Sequence, residues 1–153
     1  MIESEGFSAT TETPHRECCM SMSQAQISNR LPLKCDREQG KAAGTVIFRF
    51  SGPFTARTVF ASQSPDAVSS LFDLQPMLPT GELPAVIVFD LTGVPYMDSA
   101  GLGMVVRYYS RYHDKGIRFI AAGMTSRVQE LFQLTKVDTV IPLVATVEQA
   151  DAH

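Results

Sequence analysis

The sequence predicts an α/β protein in which helices pack against a mixed β-sheet. A continuous apolar run, AVIVFDL at positions 85–91, is typical of a central strand that is covered on both faces. From this run onward the patterns alternate as strand, helix, strand, helix and strand, which favours helices packed on a sheet. The 153 residues are enough for one domain with a substantial core.

Composition and charge exclude several classes of protein. The formal net charge is −3, and no dense Lys/Arg cluster supplies a local basic footprint, so direct nucleic-acid binding is not expected. The N-terminus has no apolar signal core, and no apolar run approaches the roughly 18 residues of a membrane span. These features predict a cytoplasmic protein with no membrane contact.

The three cysteines form neither a disulfide framework nor a zinc pattern. Cys18 and Cys19 are adjacent, and Cys35 stands alone. We therefore expect reduced thiols and no metal site.

The first thirty residues differ from the rest of the chain. Residues 1–30 are rich in Ser, Thr, Glu and Gln, and they show no sustained hydrophobic period. Such a segment cannot bury enough apolar surface to offset the entropy of ordering it. The sequence predicts a flexible tail over residues 1–30 and a folded domain over residues 31–153.

Two short strands and a hairpin loop are predicted at the start of the domain. The strand-like runs are LPLKCDR at 31–37 and TVIFRFSG at 45–52, and the glycines between them suit a hairpin loop. Apolar and polar positions alternate within the second run, which predicts a strand with one buried face. A helix is predicted from an N-cap at Ser64, and the prolines of 75–84 predict a loop.

The segment after residue 101 has a helical period. One buried face is predicted from the spacing of Leu102, Val105, Val106 and Tyr109. The pair Lys115-Gly116 has the cationic and glycine chemistry that suits a helix end.

The last forty residues predict two strands and two helices. GIRFIAAG at 116–123 is strand-like, and Ser126 to Gln129 fits a capping box that opens a helix. DTVIPLV at 138–144 predicts a short strand, and TVEQADA at 146–152 predicts a final helix.

The octet YMDSAGLG at 96–103 joins the central strand to the following helix, and it has the position of a functional site. It lacks the Gly-Lys-Ser/Thr ending of a phosphate loop and the third glycine of a dinucleotide fingerprint. Met97 occupies the position where a hydrolase nucleophile elbow needs glycine. His113 is predicted to lie about 20 Å from Ser99, at the far end of the same helix. We therefore expect neither a bound cofactor nor a catalytic serine.

A helix cap and a modification site remain as explanations of the octet. Asp98 and Ser99 are both favoured N-cap residues. Gly101 and Gly103 each cost about 1 kcal/mol of helix propensity relative to alanine, so their presence favours an open backbone that another molecule can approach. A serine at the positive end of a helix, where an added dianion is tolerated, suits phosphorylation at Ser99.

The same stretch resembles the STAS domain of bacterial anti-sigma factor antagonists. The resemblance rests on VPYMDSAGLGMVV, on the preceding VIVFDLTG and on the segment that runs from Gly116 to the end of the chain. In that family an Asp-Ser-Ser/Thr-Gly-Leu-Gly motif opens a helix, and an anti-sigma factor kinase phosphorylates its first serine. Here that serine is Ser99, and Ala100 replaces the usual second hydroxyl. Pro53 and Phe54 stand in place of two acidic residues of the family.

The resemblance implies a STAS fold with helices mainly on one face of the sheet, and a protein that acts as a switch. The unphosphorylated form would bind an anti-sigma factor serine kinase and release a sigma factor. Phosphorylation of Ser99 would end this binding until a phosphatase resets the protein, which would itself catalyse nothing. The predicted partner-binding residues are Asp98, Ser99, Ala100, Gly101, Leu102 and Gly103. The alternative is a non-catalytic accessory subunit of a lipid transporter, or a scaffold in stress-signalling complexes.

Overall fold

A computed structural model, which describes residues 32–61 and 76–152, confirms the α/β prediction. The elements are β1 (Lys34–Gln39), β2 (Thr45–Ser51), α1 (Ala56–Ala61), β3 (Val86–Gly93), α2 (Ser99–His113), β4 (Arg118–Ala122), α3 (Ser126–Leu134), a 3₁₀ turn (Val137–Thr139), β5 (Leu143–Val144) and α4 (Val147–Asp151). The predicted tail and the helix predicted from Ser64 lie outside the described residues.

The five described strands form one mixed sheet in the order β1-β2-β3-β4-β5. β1 and β2 are antiparallel, as predicted for a hairpin, and the other neighbouring pairs are parallel. β3 is the central strand. Because the carboxyl ends of parallel strands meet at one edge of a sheet, the turn that leads from β3 into α2 lies at the edge where ligand and partner sites commonly form.

Aromatic side chains hold the first face of the sheet against α2 and α3. The ring of Phe89 lies 4.6 Å from that of Phe119 and 5.7 Å from that of Tyr108 on α2. Phe132 of α3 is fully buried in the same cluster. α2 is therefore attached to a well-packed core.

The second face of the sheet is covered by the short helix α4. Its core consists of Ile47, Val88, Ile120, Ala122 and Ala150. The prediction that β2 has only one buried face is wrong, because Ile47 packs in this second core while its neighbours pack in the first. The alternating pattern could not show that a helix from the end of the chain returns to this face.

The buried face of α2 is shifted from the predicted one. Leu102 and Val105 are buried as expected, whereas Val106 and Tyr109 are only half-buried. Tyr108 and Tyr112 complete the buried face instead. Because tyrosine carries a hydroxyl group, the apolar period of the sequence did not include these two positions. The helix ends at His113, close to the predicted stop.

Two predictions near the C-terminus are wrong in detail. The N-cap of α3 is Thr125, and Ser126 is already the first helical residue, so the capping box predicted at Ser126 does not form. The strand predicted at 138–144 is limited to Leu143–Val144, because the residues before it form the 3₁₀ turn. The final helix forms as predicted, with Thr146 as its cap.

Candidate functional site

Asp98 caps the helix that carries the candidate phosphorylation site. Its Oδ1 atom accepts hydrogen bonds from the backbone amides of Ala100 (2.9 Å) and Gly101 (3.0 Å). The Asp98 backbone is extended, as an N-cap residue requires. Of the two cap residues that the sequence allowed, Asp98 is the one that acts, and Ser99 becomes the first residue of α2.

The loop between β2 and α1 is fastened to the same helix start. The amide of Ala56 donates a hydrogen bond of 2.8 Å to Asp98 Oδ2, and the amide of Asp98 donates one of 3.2 Å to the carbonyl of Phe54. The amide of Phe54 in turn donates to the carbonyl of Tyr96 over 3.1 Å. The two loops therefore form one hydrogen-bonded unit around Asp98, and no sequence motif predicts that they meet.

Ser99 is exposed at the first position of α2. Because Asp98 serves as the cap, helix stability does not depend on the Ser99 hydroxyl. A kinase has access to this side chain, while the backbone beneath it is held by the Asp98 bonds. Phosphorylation of Ser99 stays a prediction, and the geometry supports it.

The two glycines of the motif have different reasons to be there. Gly101 is buried, and a Cβ atom at this position would collide with the carbonyl oxygen of Phe54 and lie 2.8 Å from Met97 Cγ. The expected open backbone is therefore wrong for Gly101, because its close approach is to the protein's own loop. Gly103 is exposed, and a Cβ atom there would meet nothing within 4 Å. Gly103 fits the open-backbone interpretation.

The six residues predicted to contact a partner differ in exposure. Ser99 and Gly103 are exposed, Asp98 and Ala100 are half-buried, and Gly101 and Leu102 are buried. Leu102 belongs to the main core. In the unbound protein the accessible part of the motif is thus Ser99 and Gly103, and the remaining residues shape the surface around them.

A buried carboxylate in the second half of β3 forms a polar cluster with Arg49 and Thr92. Asp90 Oδ2 accepts a hydrogen bond from Arg49 Nε (2.9 Å), and Oδ1 accepts from the hydroxyl (2.6 Å) and the amide (3.0 Å) of Thr92. Burial alone would raise the pKa of Asp90, but the hydrogen bonds from Thr92 and Arg49 outweigh it and hold this pKa below its ordinary value. This cluster was not predicted from the sequence, although an acid within a run of buried residues is a signal for a paired side chain.

The other candidate nucleophiles are unsuited to chemistry at this site. Burial, together with the charge of Asp36, raises the pKa of the Cys35 thiol to about 12, so the reactive thiolate is scarce at neutral pH. His113 is exposed at the opposite end of α2, fourteen residues after Ser99, which corresponds to about 20 Å along a helix. The structure does not bring Ser99 and His113 together.

The family comparison agrees with this geometry. The model of the STAS domain family matches residues 37–150. The chain belongs to the STAS domain family. The match begins within β1 and ends within α4, so it includes β2 to β5 and the start of α2.

Several solved structures show the same fold at low sequence identity. An anti-sigma factor antagonist from Mycobacterium paratuberculosis is 20% identical, with a TM-score of 0.56, over 77% of this chain and 90% of that one. A sulfate transporter family protein from Wolinella succinogenes is 16% identical, with a TM-score of 0.56, over 72% and 84% of the two chains. The Bacillus cell fate determinant SpoIIAA in its phosphorylated form is 18% identical, with a TM-score of 0.50, over 78% and 98%. At these identities the likeness establishes the fold.

Within residues 32–61 and 76–152, no helix is both long enough and apolar enough to cross a membrane.

Proposed function

We propose that this protein is an anti-sigma factor antagonist that is switched off by phosphorylation of Ser99. In its unphosphorylated form it binds an anti-sigma factor serine kinase in the cytoplasm and thereby releases a sigma factor. The observation that carries the proposal is the position of Ser99, which is exposed at the first residue of a helix whose cap is supplied by Asp98. The hydroxyl is free for modification without loss of the cap.

The environment of Ser99 explains how phosphate would end binding. A phosphoryl group adds about −1.5 to −2 charges at neutral pH. The amides of Ala100 and Gly101, which would otherwise attract that charge, already donate to Asp98. The phosphate therefore stays solvated, and burying it against a partner would cost several kcal/mol, which lowers affinity by orders of magnitude.

In this proposal the protein is the substrate of other enzymes and has no activity of its own. A kinase adds phosphate to Ser99, and a phosphatase removes it. Ser99 has no histidine nearby on α2, and the Cys35 thiol is protonated. Both observations support a role in binding.

The likeness to a sulfate transporter family protein favours a second candidate function, that of a non-catalytic accessory or scaffold domain. An accessory domain of this kind has no need of a phosphorylation cycle. The two candidates therefore differ in whether an anti-sigma factor kinase recognises Ser99.

The test is phosphorylation by purified anti-sigma factor kinases from the host organism with ATP, analysed by mass spectrometry of the intact protein and its peptides. We expect one phosphate, at Ser99, and no incorporation in Ser99→Ala. The exposed serines Ser110 and Ser126 are internal controls. Phosphate found mainly on either control, or on no residue with any kinase of the set, would contradict the proposal.

A further inference from the structure

The helix α4 covers the second face of the sheet with few of its own side chains. Ala150 is its one buried residue, whereas Val147 and Asp151 are half-buried and the other two residues are exposed. The side chains beneath it are nearly inaccessible, with exposed fractions of 6% at Ile47 and 0% at Val88. A helix of five residues is not stable by itself in water, so α4 depends on its attachment to the rest of the domain.

The last residue of α4 carries a carboxylate that the hairpin loop binds. Asp151 Oδ2 accepts a hydrogen bond of 2.7 Å from the backbone amide of Lys41, and Oδ1 accepts one of 3.1 Å from that of Ala42. A Cβ atom at Gly40 would lie 2.6 Å from Asp151 Oδ1 and 2.7 Å from Thr45 Cβ. A side chain at position 40 would exclude the carboxylate, so the loop between β1 and β2 fits it closely.

Open space borders α4 at two places. A cavity of about 510 Å³ lies between the hairpin and α4, and a second one of about 550 Å³ lies between α4 and the ends of β2 and β3. Val147 and Glu148 line both cavities. At its N-terminal end α4 follows β5, which has two residues and pairs with β4 alone among the described strands. Asp151 and Ala150 are therefore the main points at which α4 is attached.

We propose that α4 is a latch that opens while the rest of the domain stays folded, and that the carboxylate of Asp151 holds it closed. Opening breaks the two hydrogen bonds to the hairpin and lifts Ala150 and Val147 from the sheet. The exposed residues 145–146, which join β5 to α4, are the pivot. Elements that bury few apolar side chains open locally at a lower free energy than the whole domain.

The latch controls access to an apolar surface. Its opening uncovers an aliphatic patch on the second face of the sheet, formed by Ile47, Val88, Ile120 and Ala122. Because α2 packs on the first face, this patch lies on the opposite side of the sheet from the helix that carries Ser99. The latch therefore goes beyond the proposed function, since it can open whether or not Ser99 is phosphorylated.

Two neighbouring alanines of β4 give a matched test. Ala121 and Ala122 are both 0% exposed, but Ala121 belongs to the first core and Ala122 to the second. Each is replaced by cysteine in the full chain and labelled with N-ethylmaleimide, and peptide mass spectrometry separates these positions from Cys18, Cys19 and Cys35. We expect Ala122→Cys to be labelled about tenfold faster than Ala121→Cys, or more, because only the first needs no global unfolding. Equal rates in native buffer would overturn the proposal.

Urea distinguishes local opening from a general loss of stability in either cysteine variant. Low concentrations of urea should accelerate the labelling of Ala121→Cys and leave that of Ala122→Cys nearly unchanged, because opening α4 exposes far less surface than global unfolding does. A similar acceleration of both variants would mean that only global unfolding exposes position 122, and it would overturn the latch.

The role of Asp151 is tested by comparing two acids of α4. In the Ala122→Cys protein, Asp151→Ala should raise the labelling rate about tenfold, since it removes both hydrogen bonds to the hairpin. Glu148→Ala is the matched control, because Glu148 is exposed on the same helix and its replacement removes the same charge. It should change the rate by less than about twofold. No acceleration by Asp151→Ala, or an equal one by Glu148→Ala, would overturn the proposal that Asp151 holds the latch closed.

Discussion

The carboxylate of Asp98 accepts a hydrogen bond of 2.8 Å from the backbone amide of Ala56, which lies 42 residues earlier in the chain. The other oxygen of the same carboxylate caps α2. One side chain therefore holds the start of α2 and the start of α1 in a fixed relation. The surface around Ser99 depends on this relation, because it is built from both helices.

Asp98→Ala should be markedly destabilising although the residue is only half-buried. It removes the acceptor of three amide hydrogen bonds, and we expect a loss of about 2 kcal/mol in the free energy of unfolding. Ser99→Ala is the matched control and should change this free energy by less than about 0.5 kcal/mol, since Ser99 is not the cap. Urea denaturation of the two variants measures both values. Equal losses for the two variants would contradict the assignment of the cap.

Replacement of the two glycines of the motif by alanine should change the stability of the protein in opposite directions. Gly101→Ala places a methyl group against the Phe54 carbonyl, so it should destabilise the protein by about 1–3 kcal/mol. Gly103→Ala adds a methyl group in open space on a helix, so it should stabilise by about 0.5–1 kcal/mol. Thermal unfolding of the pair provides the comparison. A stabilised Gly101→Ala would show that the loop does not press on the helix.

Lys136→Gly should stabilise the protein. Lys136 follows the C-cap of α3 in the left-handed conformation, with φ of 61°, which costs a residue with a side chain about 1 kcal/mol. Glycine adopts this conformation freely, and we expect a gain of about 0.5–1 kcal/mol. Lys136→Gln removes the same charge but keeps the Cβ atom, so it should show no such gain in chemical denaturation. A gain of equal size in both variants would assign the effect to charge.

The contribution of Asp90 to stability should depend on pH. Burial raises the pKa of Asp90, but the hydrogen bonds from Thr92 and Arg49 lower it by more than burial raises it. The carboxylate in the folded protein therefore stays ionised at pH values below the pKa of Asp90 in the unfolded chain. A group of this kind stabilises the fold above its unfolded pKa of about 3.9 and loses that contribution as the pH falls through its folded value. Asp90→Asn should therefore cost more stability at neutral pH than near pH 3. A cost that does not change with pH would contradict the role of the charge.

Local patterns were sufficient to predict most of the fold. The hairpin, the central strand and the helix that begins at the motif all have strong sequence signals, and each forms where it was expected. The one-sided pattern of β2 was misleading because Ile47 is buried by α4, which lies a hundred residues further on. Tertiary contacts of this kind are not encoded in the period of a single segment.

The site was predictable in part. The strand-to-helix joint and the exposed serine could be found from the residue types of the motif alone. Asp98 could be predicted as a cap from its residue type. Its hydrogen bond from Ala56 could not be predicted, because it depends on where a distant loop lies and no motif identifies that loop. The prediction that Gly101 is open to a partner is wrong for the same reason, since the Phe54 carbonyl that excludes a Cβ atom at Gly101 is distant in the sequence.

The most direct test of the switch is titration calorimetry of the kinase with four forms of the protein: wild type, Ser99→Ala, Ser99→Asp and protein phosphorylated at Ser99. Ser99→Ala keeps a compact neutral surface and should bind about as tightly as the wild type. Ser99→Asp places one negative charge in the proposed binding surface and should bind more weakly, and the phosphorylated form should bind weakest of all. Binding of the phosphorylated form with the affinity of the wild type would contradict the account.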